Sequence, residues 1–221
     1  MTELQLFNET DCLELHALAE KVRWLNLNGH NPATSGNYSL RSSTDPNYAY
    51  ISESGINKAE FMQSHFIPIN IHTLEVPDIA DFKAKKVSDE TAVHMAIYRA
   101  TNAQCVLHTH MIESLLFADL FPQKSFAKLS QLELLKGLEG ITTHDTEIEI
   151  PLFENTQDIH ALGFQIEPIL QSMVKKYGLI LRGHGMYVWG SQRLKAERHL
   201  EVFSYLFQYC LRKRELYGHT L

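Results

Sequence analysis

LILRGHGMYVWG, residues 179–190, reads as an apolar strand, a glycine-rich turn and a second apolar strand. A chain that doubles back so quickly makes an antiparallel pair, because parallel neighbours need a long crossover. Downstream, Gln192–Leu216 carries Leu200, Phe203, Phe207, Cys210 and Leu211 as the apolar stripe of a long helix. Upstream, residues 156–177 read mostly as helix and EIEIPLF (147–153) as strand. MIESLLFADLF (111–121) and SQLELLKGL (130–138) read as helices, the second closed by Gly137. CVLHTH (105–110) is a short apolar strand that ends in histidines.

Nearer the start, short alternating runs appear between Asn31 and Asn57, separated by Ser, Gly, Asn and Pro. They read as antiparallel strands and turns, with FIPINIHTLEV (66–76) as one or two more strands. A first helix is expected near Asp11, with Glu14 completing a capping-box-like pair and Asn28-Gly29 as its stop. SDETAVHMAIYRA (88–100) reads as a helix capped by Ser88, with Asp89 and Glu90 in its first turn. The sum is α/β: a central, mainly antiparallel sheet with helices packed on both faces, and not a doubly wound fold.

The 221 residues suit one domain, 1–221. A formal charge of −6 gives no reason to expect nucleic acid or an anionic membrane as partner. An anionic substrate must then be attracted locally. Three cysteines (Cys12, Cys105 and Cys210) without CxxC spacing argue against a disulfide framework. The acidic start MTELQLFNETD is no signal peptide, and no apolar run approaches the roughly 18 residues of a membrane span. Cytoplasmic residence is the expectation.

His108-Thr109-His110 carries the first chemical signal. On a strand, residues i and i+2 face the same way, so both imidazoles can reach one ion. Alone, the pair is more often two unrelated histidines, in a chain that has 12, because two ligands do not make a site. His184 changes that balance. It sits between Gly183 and Gly185 at a hairpin tip, where turn formation favours Asn, Asp or Gly over histidine. Three imidazoles with an open fourth position is the pattern of a catalytic zinc site.

Other residues are less decisive. Glu90 on pattern alone is a carboxylate complementing a helix dipole, with a place beside the metal as the other reading. Glu133, among Leu132, Leu134 and Leu135, could lie at the edge of a buried face that raises its pKa, or be an exposed glutamate next to Lys136. Thr34-Ser35-Gly36-Asn37 and Ser54-Gly55 are small polar loops of the kind that can hold a phosphate, though each alone is more often a turn. His16, His94 and His199 read as packing or surface residues.

PATSGNYSLR, ESGINK, SDETAVHMAIY, VLHTH and LRGHGMYVWG, in this order, resemble the class II aldolase and sugar-phosphate epimerase (adducin-like) family. Within it, NPATSGN, QLELLKG and RGHGMYVWG resemble the branch that dehydrates a methylthio-pentulose phosphate in methionine salvage. The resemblance implies a three-layer α/β/α fold and a lyase holding one zinc per subunit on His108, His110 and His184. It implies Glu133 as proton carrier, Glu90 as a secondary catalytic residue, and Thr34–Asn37 with Ser54-Gly55 as phosphate and substrate contacts. It also implies a small-molecule sugar-phosphate substrate and a homotetramer with sites near subunit interfaces. An aldolase or epimerase acting on fuculose or ribulose phosphate is the alternative, since the metal's task would be the same. One departure is His30, where many dehydratases carry a bulky aromatic.

Overall fold

A computed structural model describes residues 7–82 and 84–218. The opening residues 1–6, part of the stretch read as no signal peptide, lie outside them. The strands are β1 (Asn37–Arg41), β2 (Tyr48–Ser52), β3 (Phe66–Asn70), β4 (Cys105–Thr109), β5 (Phe126–Ser130), β6 (Glu147–Phe153), β7 (Gly178–Leu181) and β8 (Gly185–Gly190). They form one sheet in the order β3-β2-β1-β4-β8-β7-β6-β5. Only β6 and β7 run parallel; the other neighbours are antiparallel.

Five α-helices cover the sheet: α1 (Glu9–Leu27), α2 (Thr91–Ala100), α3 (Ile112–Asp119), α4 (Ile159–Ser172) and α5 (Arg193–Tyr217). Strand alternation sends side chains into two separate cores. Tyr38, Leu40, Cys105, Leu107, Met186 and Val188 pack with α1, α3 and α5. Ala49, Ile51, Val106, Tyr187 and Trp189 pack with α2 and α4. The expected three-layer α/β/α arrangement follows. The cysteines are free. Among the described residues no helix is long and apolar enough to cross a membrane.

Two expectations need correction. The cap of α1 is Asn8, whose side chain accepts from the Asp11 backbone N–H; the helix begins at Glu9. Asp11 is buried instead, and accepts bonds from Ser42, the Ser43 backbone and Tyr50. SQLELLKGL is not an α-helix. Its Ser130 ends β5, Gln131 takes φ 58, and Glu133–Gly137 makes only a 3-10 turn. That turn buries Leu135 and leaves Glu133 outside. His94 and His199, read as packing or surface residues, are packing residues, buried and hydrogen-bonded on both ring nitrogens.

Candidate functional site

β4 and β8 pair so that Cα of His108 opposes Tyr187, bringing the β7–β8 turn beside the end of β4. Gly183 makes that turn at φ +64, and Gly185 lets it close up: a Cβ there would meet His108 Cε1 at 3.0 Å and His110 Cδ2 at 3.2 Å. His184 therefore stands against His108 and His110. From the same side of the sheet, the residue just ahead of α2 points its carboxylate in. Glu90 Oε2 lies 3.0 Å from His108 Nε2, and Oε1 lies 2.8 Å from His184 Nε2. His110 Nε2 is 3.0 Å from His108 Nε2, and one ligand atom from each of the four residues lies within 4.8 Å of every other. Glu90 occupies the cap position of α2 but caps nothing with its side chain. Its contacts match the other reading, a carboxylate beside the histidines.

The ring protons are set from outside the cluster. The His108 Nδ1–H donates to the Met186 carbonyl at 3.1 Å, and the His184 Nδ1–H to Asn155 Oδ1 at 3.1 Å. Each ring thus turns the lone pair of its Nε2 inward. Burial pushes His108 down to about 3 against the pull of Glu90, and burial also lowers His110, so these imidazoles are neutral at pH 7. Burial alone would raise Glu90. The hydrogen bonds it accepts from the Asn37 amide and the Tyr187 hydroxyl oppose that and help to hold the carboxyl far below the usual range. Glu90 Oε2 accepts from Tyr187 OH at 2.6 Å and from Asn37 Nδ2 at 2.8 Å, while the Tyr187 ring stacks on His108 at 4.0 Å. Inward lone pairs beside an ionised carboxylate repel one another unless a positive charge lies among them. The donor set fits a divalent cation.

The two polar loops lie close by. Thr34 ends a 3-10 turn (Pro32–Thr34) that leads through Ser35 and Gly36 into β1, with Ala33 at φ 52 and Thr34 at φ 66. The Asn37 side chain faces Glu90 and His94. The Ser54 backbone N–H donates to the Lys86 carbonyl, ahead of Glu90, and Gly55 follows at φ +78. Lys58 joins the loops. It is 2% exposed, and its ammonium donates to the carbonyls of Thr34 at 3.0 Å and Ile56 at 3.2 Å. Sequence reasoning passed over Lys58, Tyr187 and Asn155, and gave His94 no more than a packing or surface role. The one usable signal was periodic: His94 and Tyr98 follow Glu90 at four-residue steps on α2.

Glu133 is elsewhere. Its side chain is 70% exposed, paired with Lys136 Nζ at 2.6 Å and 3.6 Å from His144 Nδ1. The Lys136 ammonium holds its carboxyl below the ordinary value, as in the reading of Glu133 as an exposed glutamate next to Lys136. Beside it runs a cleft of about 900 Å³ lined by Leu134, Lys136, Arg198, Tyr205 and Tyr209, and no residue of the histidine cluster lines it.

Residues 16–211 match the family described as Class II Aldolase and Adducin N-terminal domain. The chain belongs to that family. Among curated relatives of the class II aldolase family it is 36% identical over 208 residues to methylthioribulose-1-phosphate dehydratase of Enterobacter sp. (strain 638), covering 94% of this chain and 98% of that one. It is 34% identical over 206 residues to the protein of the same name from Picosynechococcus sp., with 93% of each chain covered. Its fold matches the crystal structure of L-fuculose-1-phosphate aldolase from Thermus thermophilus at TM-score 0.71 and 22% identity, over 94% of this chain and 99% of that one. The sugar-phosphate aldolase from Thermotoga maritima matches at TM-score 0.64 and 15% identity, over 93% and 96%.

Proposed function

We propose that this chain is a zinc-dependent hydro-lyase that converts 5-methylthioribulose 1-phosphate to 2,3-diketo-5-methylthiopentyl 1-phosphate, a step of methionine salvage in the cytoplasm. The observation that carries the reading is the convergence of three imidazoles and a carboxylate in a chain about a third identical, end to end, to dehydratases of that name. His108, His110 and His184 would hold one zinc per subunit. Bound there, the ion supplies Lewis-acid polarisation of the substrate's C2 carbonyl.

The chain's own residues do the rest. A base takes the C3 proton, and the electron pair left behind delocalises toward the C2 oxygen. An acid donates to the C4 hydroxyl, which leaves as water. The resulting enol ketonises to the 2,3-diketone, so substrate equals product plus water. Glu133 moves at least one of these protons. Glu90, ionised and hydrogen-bonded by Asn37 and Tyr187, fixes the histidines and acts as a secondary catalytic group. Thr34, Ser35, Gly36 and Asn37, with Ser54 and Gly55, border the phosphate and substrate position, and the buried Lys58 ammonium adds the local positive charge that a net charge of −6 withholds.

Residues 1–221 act as a single domain, and the protein works as a homotetramer. The exposure of Glu133 supports this. Outside the cluster in its own chain, it can serve a substrate only across a subunit boundary. The neighbouring exposed Leu134, Tyr205 and Tyr209 are the apolar surface such a boundary covers.

The test is turnover. Zinc-loaded protein incubated with 5-methylthioribulose 1-phosphate should develop the diketone absorbance, lose it after chelation, and regain it with added zinc. Absence of diketone, with cleavage of fuculose or ribulose phosphate instead, would assign the site to an aldolase.

A further inference from the structure

Behind Glu90 runs a line of buried polar groups that alternates between α2 and β1. Glu90, His94 and Tyr98 are spaced by four on the helix, and Asn37 and Ser39 by two on the strand. Four helical residues rise about 6 Å and two strand residues about 6.7 Å, so the two rows interleave. The contacts are Tyr98 OH to Ser39 Oγ at 2.8 Å, Ser39 Oγ to His94 Nδ1 at 2.7 Å, His94 Nε2 to Asn37 Oδ1 at 2.5 Å, and Asn37 Nδ2 to Glu90 Oε2 at 2.8 Å. His94 and Ser39 are 0% exposed and Tyr98 2%.

The protons in this line have one consistent placement. An ionised carboxylate only accepts, so Asn37 turns its NH₂ to Glu90 and its carbonyl to His94. His94 Nε2 must then carry a hydrogen. Burial holds His94 far below its ordinary range, to about 3, so the ring is neutral and Nδ1 is a lone pair. That lone pair takes the Ser39 hydroxyl proton, and the Ser39 oxygen in turn accepts from Tyr98. Four donors point the same way, and each polarises the next toward Glu90.

We propose that His94 is a positioning residue, locked by Ser39 as its Nε2–H tautomer, which orients Asn37 and thereby fixes the Glu90 carboxylate for cation binding by the histidine cluster. The proposal rests on the metal reading of that cluster but not on the reaction assigned to it. A role confined to packing would be met by any residue of similar volume. The positioning role demands a donor at one atom.

Two measurements decide it. Long-range ¹⁵N–¹H spectra of metal-free protein labelled at histidine should show His94 as the neutral Nε2–H tautomer across neutral pH; an Nδ1–H tautomer or an imidazolium overturns the assignment. Zinc affinity by chelator competition is the second readout. His94→Gln, which keeps a donor near the Nε2 position, should bind zinc within a few-fold of wild type, whereas His94→Leu should lose about 10–100-fold. Equal loss in both, or loss in neither, overturns the positioning role. Should His94→Leu not fold, Ser39→Ala serves: it should weaken zinc binding and release the tautomer, and an unchanged tautomer contradicts the lock. A correct tautomer in a protein that makes no diketone would sink the dehydratase reading alone.

Discussion

The two glutamates singled out for chemistry inhabit opposite surroundings. Glu90 is drawn in, with Asn37, Tyr187, His108 and His184 all within 3.0 Å of its oxygens. Glu133 stands in solvent on a 3-10 turn, tied only to Lys136 at 2.6 Å and near His144 at 3.6 Å. The first region is enclosed, and an outer layer of Met186, Asn155 and His94 sets its protons. The second is open, beside a cleft with exposed tyrosines. The proposed dehydration needs both regions at one substrate, and a second copy of the chain would have to bring them together.

The largest expected effect comes from breaking the closed half. His184→Ala or His108→Ala should strip zinc from the purified protein, measured by metal analysis, and abolish turnover with it. A fully loaded His184→Ala protein would remove the triad from the account. Next comes the open half. Glu133→Gln should cut kcat by about 10²-fold or more, the usual range for losing an acid or base. Its zinc content and melting temperature should not move, because an exposed side chain contributes little to either. Retained activity would clear Glu133 of any proton transfer.

A smaller effect is expected between the halves. Lys58→Met keeps the stem of a buried lysine and removes its charge. It should raise the KM for the sugar phosphate, and weaken protection by inorganic phosphate, by roughly tenfold, or about 1.4 kcal/mol. An unchanged KM with a lowered kcat would place Lys58 outside substrate binding. The smallest effect is in stability against pH. The folded value of His94, about 3, lies below its unfolded value of 6.5. Between those values the unfolded chain binds the proton and the folded one does not, so this stability is present above pH 6.5 and lost as pH falls. In urea titrations of metal-free protein, wild type should lose up to about 1.4 kcal/mol per pH unit more than His94→Gln below pH 6. Parallel profiles would mean that His94 takes up its proton in the folded state.

The closed region was also the more legible one. His108 and His110 were readable because strand period alone puts them on one side, and His184 because two glycines flank a residue with no turn-forming reason to be there. Glu90 was less legible from pattern alone for a physical reason. Its position ahead of α2 is a dipole position in any isolated helix, and only the packing of α2 on β1 turns the carboxylate toward β4. His94 looked like core packing, and Asn155 and Tyr187 carried no local signal, since their roles depend on partners 29 to 97 residues away. For Glu133 the residues left two readings, a buried edge among leucines or an exposed partner of Lys136; the 3-10 turn, in which Leu135 goes in and Glu133 goes out, matches the second. The branch resemblance, resting on NPATSGN, QLELLKG and RGHGMYVWG, had marked Glu133 regardless, and the full-length similarity to dehydratases agrees with that branch.

Subunit mixing tests the central claim most directly. His184→Ala and Glu133→Gln proteins, each inactive alone, are unfolded together, refolded as mixed tetramers with zinc, and assayed for diketone. If each site takes its histidines from one subunit and Glu133 from a neighbour, random hybrids should recover activity, about a quarter of wild type. Hybrids that form but stay inactive would contradict a site divided between two chains.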